Sequence, residues 1–112
     1  KGAQVGVLGM AYKKDIDDVR ESPALDVYEL LEGRGAQVSY HDPHVPSVRL
    51  SGERAAHSTP LTADWLAEQD AVVIVTNHTA FDIDFILQHA RLVVDTRNAT
   101  RGHTGPARVV RL

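Results

Sequence analysis

The chain contains no cysteine. That excludes a disulfide, a thiolate metal site and a thiol nucleophile among its own residues, and it fits a cytoplasmic setting. No apolar run approaches the roughly 18 residues of a membrane span, and no signal-peptide pattern opens the sequence. Positive charge is not in excess. Twelve Lys and Arg stand against 15 Asp and Glu, a net charge of −3, so neither nucleic acid nor an anionic membrane is an expected partner. Internal repeats and low-complexity tracts are absent. A third glycine at dinucleotide spacing is missing as well: Gly6 and Gly9 do not complete G-x-G-x-x-G.

What is present is an ordinary globular composition, 43% apolar and 24% charged over 112 residues, enough for one domain with a real core. The first residue is Lys1 rather than Met, and the first strand starts almost at once. This predicts a piece of a longer polypeptide.

Gln4–Leu8 is short, Val-rich and bounded by glycine, the pattern of a buried strand. Ser22-Pro23 starts a helix, with Ser22 as cap, Pro23 in the first helical position and Asp26 in the positive first turn. Over Pro23–Gly33, Ala24, Val27, Tyr28 and Leu31 recur at helical spacing, and Leu25 and Leu30 widen the stripe. Gly33 and Gly35 end it. Gln37–His41 alternates as a second strand, stopped by Asp42-Pro43. Residues 43–60 carry Pro43, Pro46, Gly52 and Pro60 and leave room for a short strand near Arg54–His57. Thr62–Gln69 reads as a helix with Ala63, Leu66 and Ala67 inward. Asp70–Thr76 is β-branched and apolar on both faces, as a covered central strand must be. Asp82–His89 is a short helix capped by Asp82, Arg91–Asp95 a buried strand, and Arg108–Arg111 an edge strand. This order predicts a Rossmann-like, doubly wound α/β fold with a mostly parallel sheet of five to six strands and helices on both faces.

Ligands of such sheets sit beyond the carboxyl ends of the strands. Three polar clusters are expected there: the Tyr12–Arg20 loop, the Asn77–Asp82 loop, and Asp95-Thr96-Arg97-Asn98. Lys13, Lys14, Arg20 and Arg97 then form a cationic pocket for an anionic, phosphorylated small molecule. Arg97 directly follows a buried strand, and its planar guanidinium suits phosphate. The alternative for Arg97 is a salt bridge to Asp95, and for the lysines a solvated loop. Asp15, Asp17 and Asp18 are read as shaping that loop. His41 and His44 flank Asp42-Pro43 without a third ligand at a recognised spacing, so no metal site is expected. Trp65 is a packing residue. Asp64, Glu68 and the carboxylates of residues 26–32 are solvated faces. No nucleophile–base set is identifiable, and no catalytic residue is assigned.

Together these motifs resemble one family. The Val7-Leu8-Gly9-Met10-Ala11-Tyr12-Lys13-Lys14-Asp15 loop and the Asp17-Asp18-Val19-Arg20-Glu21-Ser22-Pro23-Ala24 run are similar to the C-terminal, UDP-binding domain of the NAD-dependent UDP-glucose/GDP-mannose dehydrogenases. So are Arg34-Gly35-Ala36-Gln37-Val38, His41-Asp42-Pro43, Asp70–Thr76 and Val94-Asp95-Thr96-Arg97-Asn98. The resemblance covers nearly the whole chain and is greatest to the branch acting on UDP-N-acetylhexosamines, which includes UDP-N-acetylglucosamine 6-dehydrogenase.

The resemblance implies a nucleotide-sugar-binding domain spanning residues 1–112. In the family it follows an N-terminal NAD-binding domain and a central helical dimerisation region, in enzymes that are homo-oligomers of polysaccharide biosynthesis. Those enzymes oxidise the sugar C6 alcohol to the uronic acid in two hydride transfers to NAD, through a cysteine nucleophile that this chain lacks. The isolated domain is therefore expected to be inactive. By the same resemblance Tyr12, Lys13 and Arg97 contact the UDP-sugar, and Arg20 reaches NAD held mainly by the N-terminal domain. Tyr12 departs from the Phe frequent in the family. The alternatives are a receiver-type signalling module, which would need paired acids at the end of strand one where Gly9-Met10 stand, and a stand-alone Rossmann-like ligand-binding module.

Overall fold

Alternating Val7 and Leu8 at the end of the first strand face two different cores, and the architecture follows from that division. The computed structural model describes residues 2–11 and 23–112. Strands β1 (Gln4–Leu8), β2 (Gln37–His41), β5 (Ala71–Ile74), β6 (Leu92–Asp95) and β7 (Arg108–Arg111) form a five-stranded sheet in the order β2-β1-β5-β6-β7. All four pairings are parallel. The chain leaves β1 toward β2 and returns on the other side of β1 as β5, so the strand order reverses between β1 and β5. That reversal opens a crevice at the carboxyl ends of these strands.

Helix α1 (Pro23–Gly33) covers one face, packing Ala24 and Tyr28 with Val7 and Tyr40. Helices α2 (Ala63–Glu68) and α3 (Ile83–His89) cover the other, where Trp65, Leu66, Ile86 and Leu87 meet Leu8, Val72, Ile74 and Val93. The two-sided cover matches the expectation for a doubly wound fold. Local caps set the helix starts. The Thr62 hydroxyl accepts from Trp65 N, and the Asp82 carboxylate accepts from Phe85 N. Trp65 is a core residue: its ring lies where a Cβ on Gly6 would come within 2.9 Å, and its Nε1 donates to Ser39 Oγ at 3.0 Å.

The sheet has five strands, as expected. Several other expectations need correction. The short strand near Arg54–His57 does not join the sheet: β4 (Ala55–His57) pairs antiparallel with β3 (Ser47–Arg49) as a separate hairpin. That hairpin is held because Val45, Val48 and Leu50 bury against Tyr40, whose hydroxyl donates to the Val45 carbonyl. Burial, with the nearby Asp42 charge, pushes the Tyr40 phenol up to about 12. Leu30 is 60% exposed and lies off the apolar stripe, and Ala67 faces solvent.

Gly33 is the last helical residue, and Gly35 makes the turn. With φ at +94°, Gly35 sits in the left-handed region while Ala36 N donates back to the Leu31 carbonyl, a Schellman closure. Glu29 and Glu32 are more than a solvated face. Glu29 accepts from Ser51 N, and Glu32 pairs with Arg54 at 3.0 Å, tying α1 to the turn at Ser51–Glu53.

Candidate functional site

At the carboxyl end of β1 the chain turns outward through Gly9-Met10-Ala11. Gly9 has φ +92°, and a Cβ there would stand 2.4 Å from the Thr76 carbonyl oxygen. Only glycine lets the ends of β1 and β5 approach this closely. The Thr76 hydroxyl then donates to the Ala11 carbonyl at 2.7 Å. On the other flank, past the end of β2, the Asp42 carboxylate takes up the loop's amides. Its Oδ2 accepts from Met10 N at 2.6 Å and Ala11 N at 3.0 Å, and its Oδ1 accepts from His44 N. His78 Nε2 lies 2.7 Å from the same Oδ2, with both side chains fully buried. The His44 ring stands edge-on to His78 at 4.7 Å.

A second carboxylate organises the end of β6. Asp95 is fully buried. Its Oδ1 accepts from Arg97 N and Ala99 N, and its Oδ2 accepts from Thr100 N and the Thr100 hydroxyl, all within 3.0 Å. Asn98 adopts φ +58° within this tight turn, and Arg111 on β7 donates to Thr100 Oγ1. The result is a built platform that presents Arg97, exposed, at the carboxyl edge. Asp95 therefore serves the backbone and not the Arg97 guanidinium. Among the described residues no carboxylate pairs with Arg97.

Both carboxylates are held below their ordinary pKa. Burial pushes Asp42 up, but the hydrogen bonds from Met10, His44, His78 and Ala11 outweigh it. Burial likewise pushes Asp95 up, and the Thr100 hydroxyl with the amides of Thr100, Ala99 and Arg97 outweigh it. A carboxyl whose folded pKa lies below its unfolded value of about 3.9 contributes stability above that pH and loses it as pH falls through the folded value. The contribution of these two carboxylates to the melting temperature should therefore be level above about pH 5 and fall below about pH 4. Thermal melts followed by circular dichroism from pH 3 to 7 check this, with a shallower acid limb expected for Asp95→Asn.

Of the residues expected to bind ligand, Arg97 stands at the carboxyl edge. Tyr12, Lys13, Lys14 and Arg20 lie outside the described residues, as do Asp15, Asp17, Asp18 and the Ser22 cap. The root of their loop, Gly9–Ala11, is beside the end of β5, and β5 in turn neighbours β6. The Asn77–Asp82 loop contributes structure: His78 reaches Asp42, Phe81 enters the core and Asp82 caps α3. His41 Nδ1 meets the Thr59 carbonyl at 2.7 Å, and among the described residues no three metal-ligating side chains cluster.

A separate groove of about 320 Å³ lies toward the amino ends of β1 and β2, between Gln4, Gln37, Ser39, Trp65, Glu68 and Gln69. Among the described residues it carries no cation, so a diphosphate does not suit it. Sequence reasoning missed Asp42, His78 and Asp95 as the organisers of the edge. Asp42 was legible as a strand stop, and nothing in the spacing links it to His78.

A sequence model described as "UDP-glucose/GDP-mannose dehydrogenase family, UDP binding domain" matches residues 6–102. The chain belongs to the UDP-glucose/GDP-mannose dehydrogenase family. A UDP-glucose 6-dehydrogenase of Rhizobium meliloti is 35% identical over 109 residues, covering 90% of this chain and 24% of that protein. A UDP-N-acetyl-D-mannosamine dehydrogenase of Methanococcus vannielii is 33% identical over 103 residues, covering 85% of this chain and 22% of the relative. The native structure of a UDP-N-acetyl-mannosamine dehydrogenase from Staphylococcus aureus superposes with a TM-score of 0.77 at 28% identity. The match covers 99% of this chain and 26% of that one. The chain thus spans about a quarter of the length of these family members. Among the described residues no helix is long and apolar enough to cross a membrane.

Proposed function

We propose that this chain is the nucleotide-sugar-binding domain of an NAD-dependent dehydrogenase. The enzyme oxidises the C6 alcohol of a UDP-sugar, a UDP-N-acetylhexosamine, to the uronic acid in two hydride transfers. The observation that carries the proposal is the Asp95-built platform, which presents Arg97 at the carboxyl edge of a chain whose family model is a UDP-binding domain.

In this reading Arg97 meets the diphosphate with its bidentate fork, while Tyr12 and Lys13 from the first loop complete the ligand contacts. Fixing the loop amides through Asp95 lowers the ordering cost of binding. Gly6 and Gly9 do not complete the glycine-rich cradle of a dinucleotide site. The cofactor is assigned to an N-terminal domain of the same polypeptide, with Arg20 reaching toward it. That enzyme is a cytoplasmic homo-oligomer of polysaccharide biosynthesis.

Arg97→Ala in the full-length protein should weaken UDP-N-acetylglucosamine binding by about 1.5–3 kcal/mol, ten-fold or more. Calorimetric titration measures it, and an unchanged affinity would remove Arg97 from the site. The 112-residue chain alone should give no NADH absorbance with NAD and any UDP-sugar.

A further inference from the structure

The Asp42–His78 pair spans the crevice from both sides of β1. Asp42 follows β2, His78 follows β5, and the two meet over Met10 and Ala11, where β1 leaves the sheet. One carboxylate oxygen faces three donors: Met10 N at 2.6 Å, Ala11 N at 3.0 Å and His78 Nε2 at 2.7 Å. The other oxygen holds His44 N at 2.7 Å. Thr76 Oγ1 fixes the Ala11 carbonyl from the β5 side. Three consecutive peptide units are therefore held, two through the Met10 and Ala11 amides from the β2 side and the next through the Ala11 carbonyl from the β5 side, and the residue joined to Ala11 is Tyr12.

A buried carboxylate–imidazole pair is a costly way to fill space, since apolar residues of similar volume often serve stability as well. What the pair adds is direction. It fixes the exit vector of the chain from β1.

We propose that Asp42 and His78 are positioning residues for nucleotide-sugar binding: together they hold Met10 and Ala11, and so set the direction in which the chain leaves β1 at the root of the ligand-binding loop. The inference rests on the nucleotide-sugar reading above. Neither side chain touches ligand; each acts through the loop root. Positioning of a ground-state contact appears as a raised KM with kcat preserved at saturation.

The test uses the full-length enzyme with UDP-N-acetylglucosamine and NAD, comparing wild type, His78→Leu, His78→Gln and Asp42→Asn by KM, kcat and Tm. His78→Leu removes the donor to Asp42 and should raise the UDP-sugar KM about ten-fold, with kcat within about two-fold of wild type. His78→Gln keeps a donor that reaches Asp42 and should bring KM back to within about three-fold. An unchanged KM in His78→Leu with a lowered Tm would overturn the proposal, because the pair would then be packing alone. A Gln variant no better than Leu would overturn it too. Should His78→Leu fail to fold, Asp42→Asn decides. It keeps an acceptor for Met10 and Ala11 but loses the charge, so a KM raised several-fold supports positioning and an unchanged KM contradicts it. Failure of the underlying reading looks different: wild type itself would form no NADH in response to UDP-sugar, and both proposals would fall together.

Discussion

Gly9→Ala should cost about 3 kcal/mol or more of folding stability. Two penalties combine. The backbone at φ +92° is one that L side chains rarely adopt, worth roughly 1–2 kcal/mol. The added methyl would also stand 2.4 Å from Thr76 O, 2.6 Å from Thr76 Cβ and 2.7 Å from Thr76 N. Two of these are backbone atoms of the segment that follows β5, so no flexible side chain can swing away, and overpacking of this kind costs about 1–3 kcal/mol. Moving that segment would strain the bond from Thr76 Oγ1 to the Ala11 carbonyl.

Gly52→Ala is the control. Its φ is +73°, but nothing lies within 4 Å of the added carbon, so only the conformational penalty of roughly 1–2 kcal/mol remains. Urea denaturation of both variants measures the difference. Equal losses would mean that β1 and β5 do not need this close approach.

Asp95→Ala should be as severe, by about 4 kcal/mol or more, and should also weaken ligand binding. The substitution leaves the buried amides of Ala99 and Thr100, the Arg97 N–H and the Thr100 hydroxyl without their acceptor. Each buried group left unsatisfied costs about 1–3 kcal/mol. The turn through Asn98 loses what holds it, and Arg97 loses its platform. Arg97→Ala should behave in the opposite way, because the side chain is exposed: stability within about 0.5 kcal/mol of wild type, with affinity reduced. Denaturation and calorimetry on the two variants separate platform from contact. If Asp95→Ala melts like wild type, the hydrogen-bonded turn is not what presents Arg97.

The elements that were legible in the sequence are those whose signals are local. Thr62 and Asp82 cap helices within three residues of themselves, and Pro23 starts α1 where its fixed φ fits. Asp70–Thr76 read as a central strand because it is apolar on both faces, and Ala71–Ile74 of it form β5. The β3–β4 hairpin was only half legible. Its apolar residues, Val48 and Leu50, are too few to show a period, and they are held by Tyr40 from another element. Leu30 matched the helical stripe but falls past its edge, which only the packing partner decides.

The same division runs through the site. The place of Arg97 at the carboxyl edge was legible because it directly follows the buried strand β6. The Asp42–His78 contact joins residues 36 apart, and no spacing rule connects them. An ion pair with Asp95 was the alternative reading of Arg97. Neighbouring amides claim Asp95 because the turn folds back on the carboxylate.

The most direct test of the central claim, that the carboxyl edge of the sheet binds the nucleotide, is amide chemical-shift mapping of the isotope-labelled protein titrated with UDP. The perturbed resonances should cluster at Gly9, Met10, Ala11, Thr96, Arg97 and Asn98, with Gln4, Ser39, Trp65 and Gln69 unmoved. Shifts confined to those last four residues would place the ligand in the amino-end groove and contradict the account.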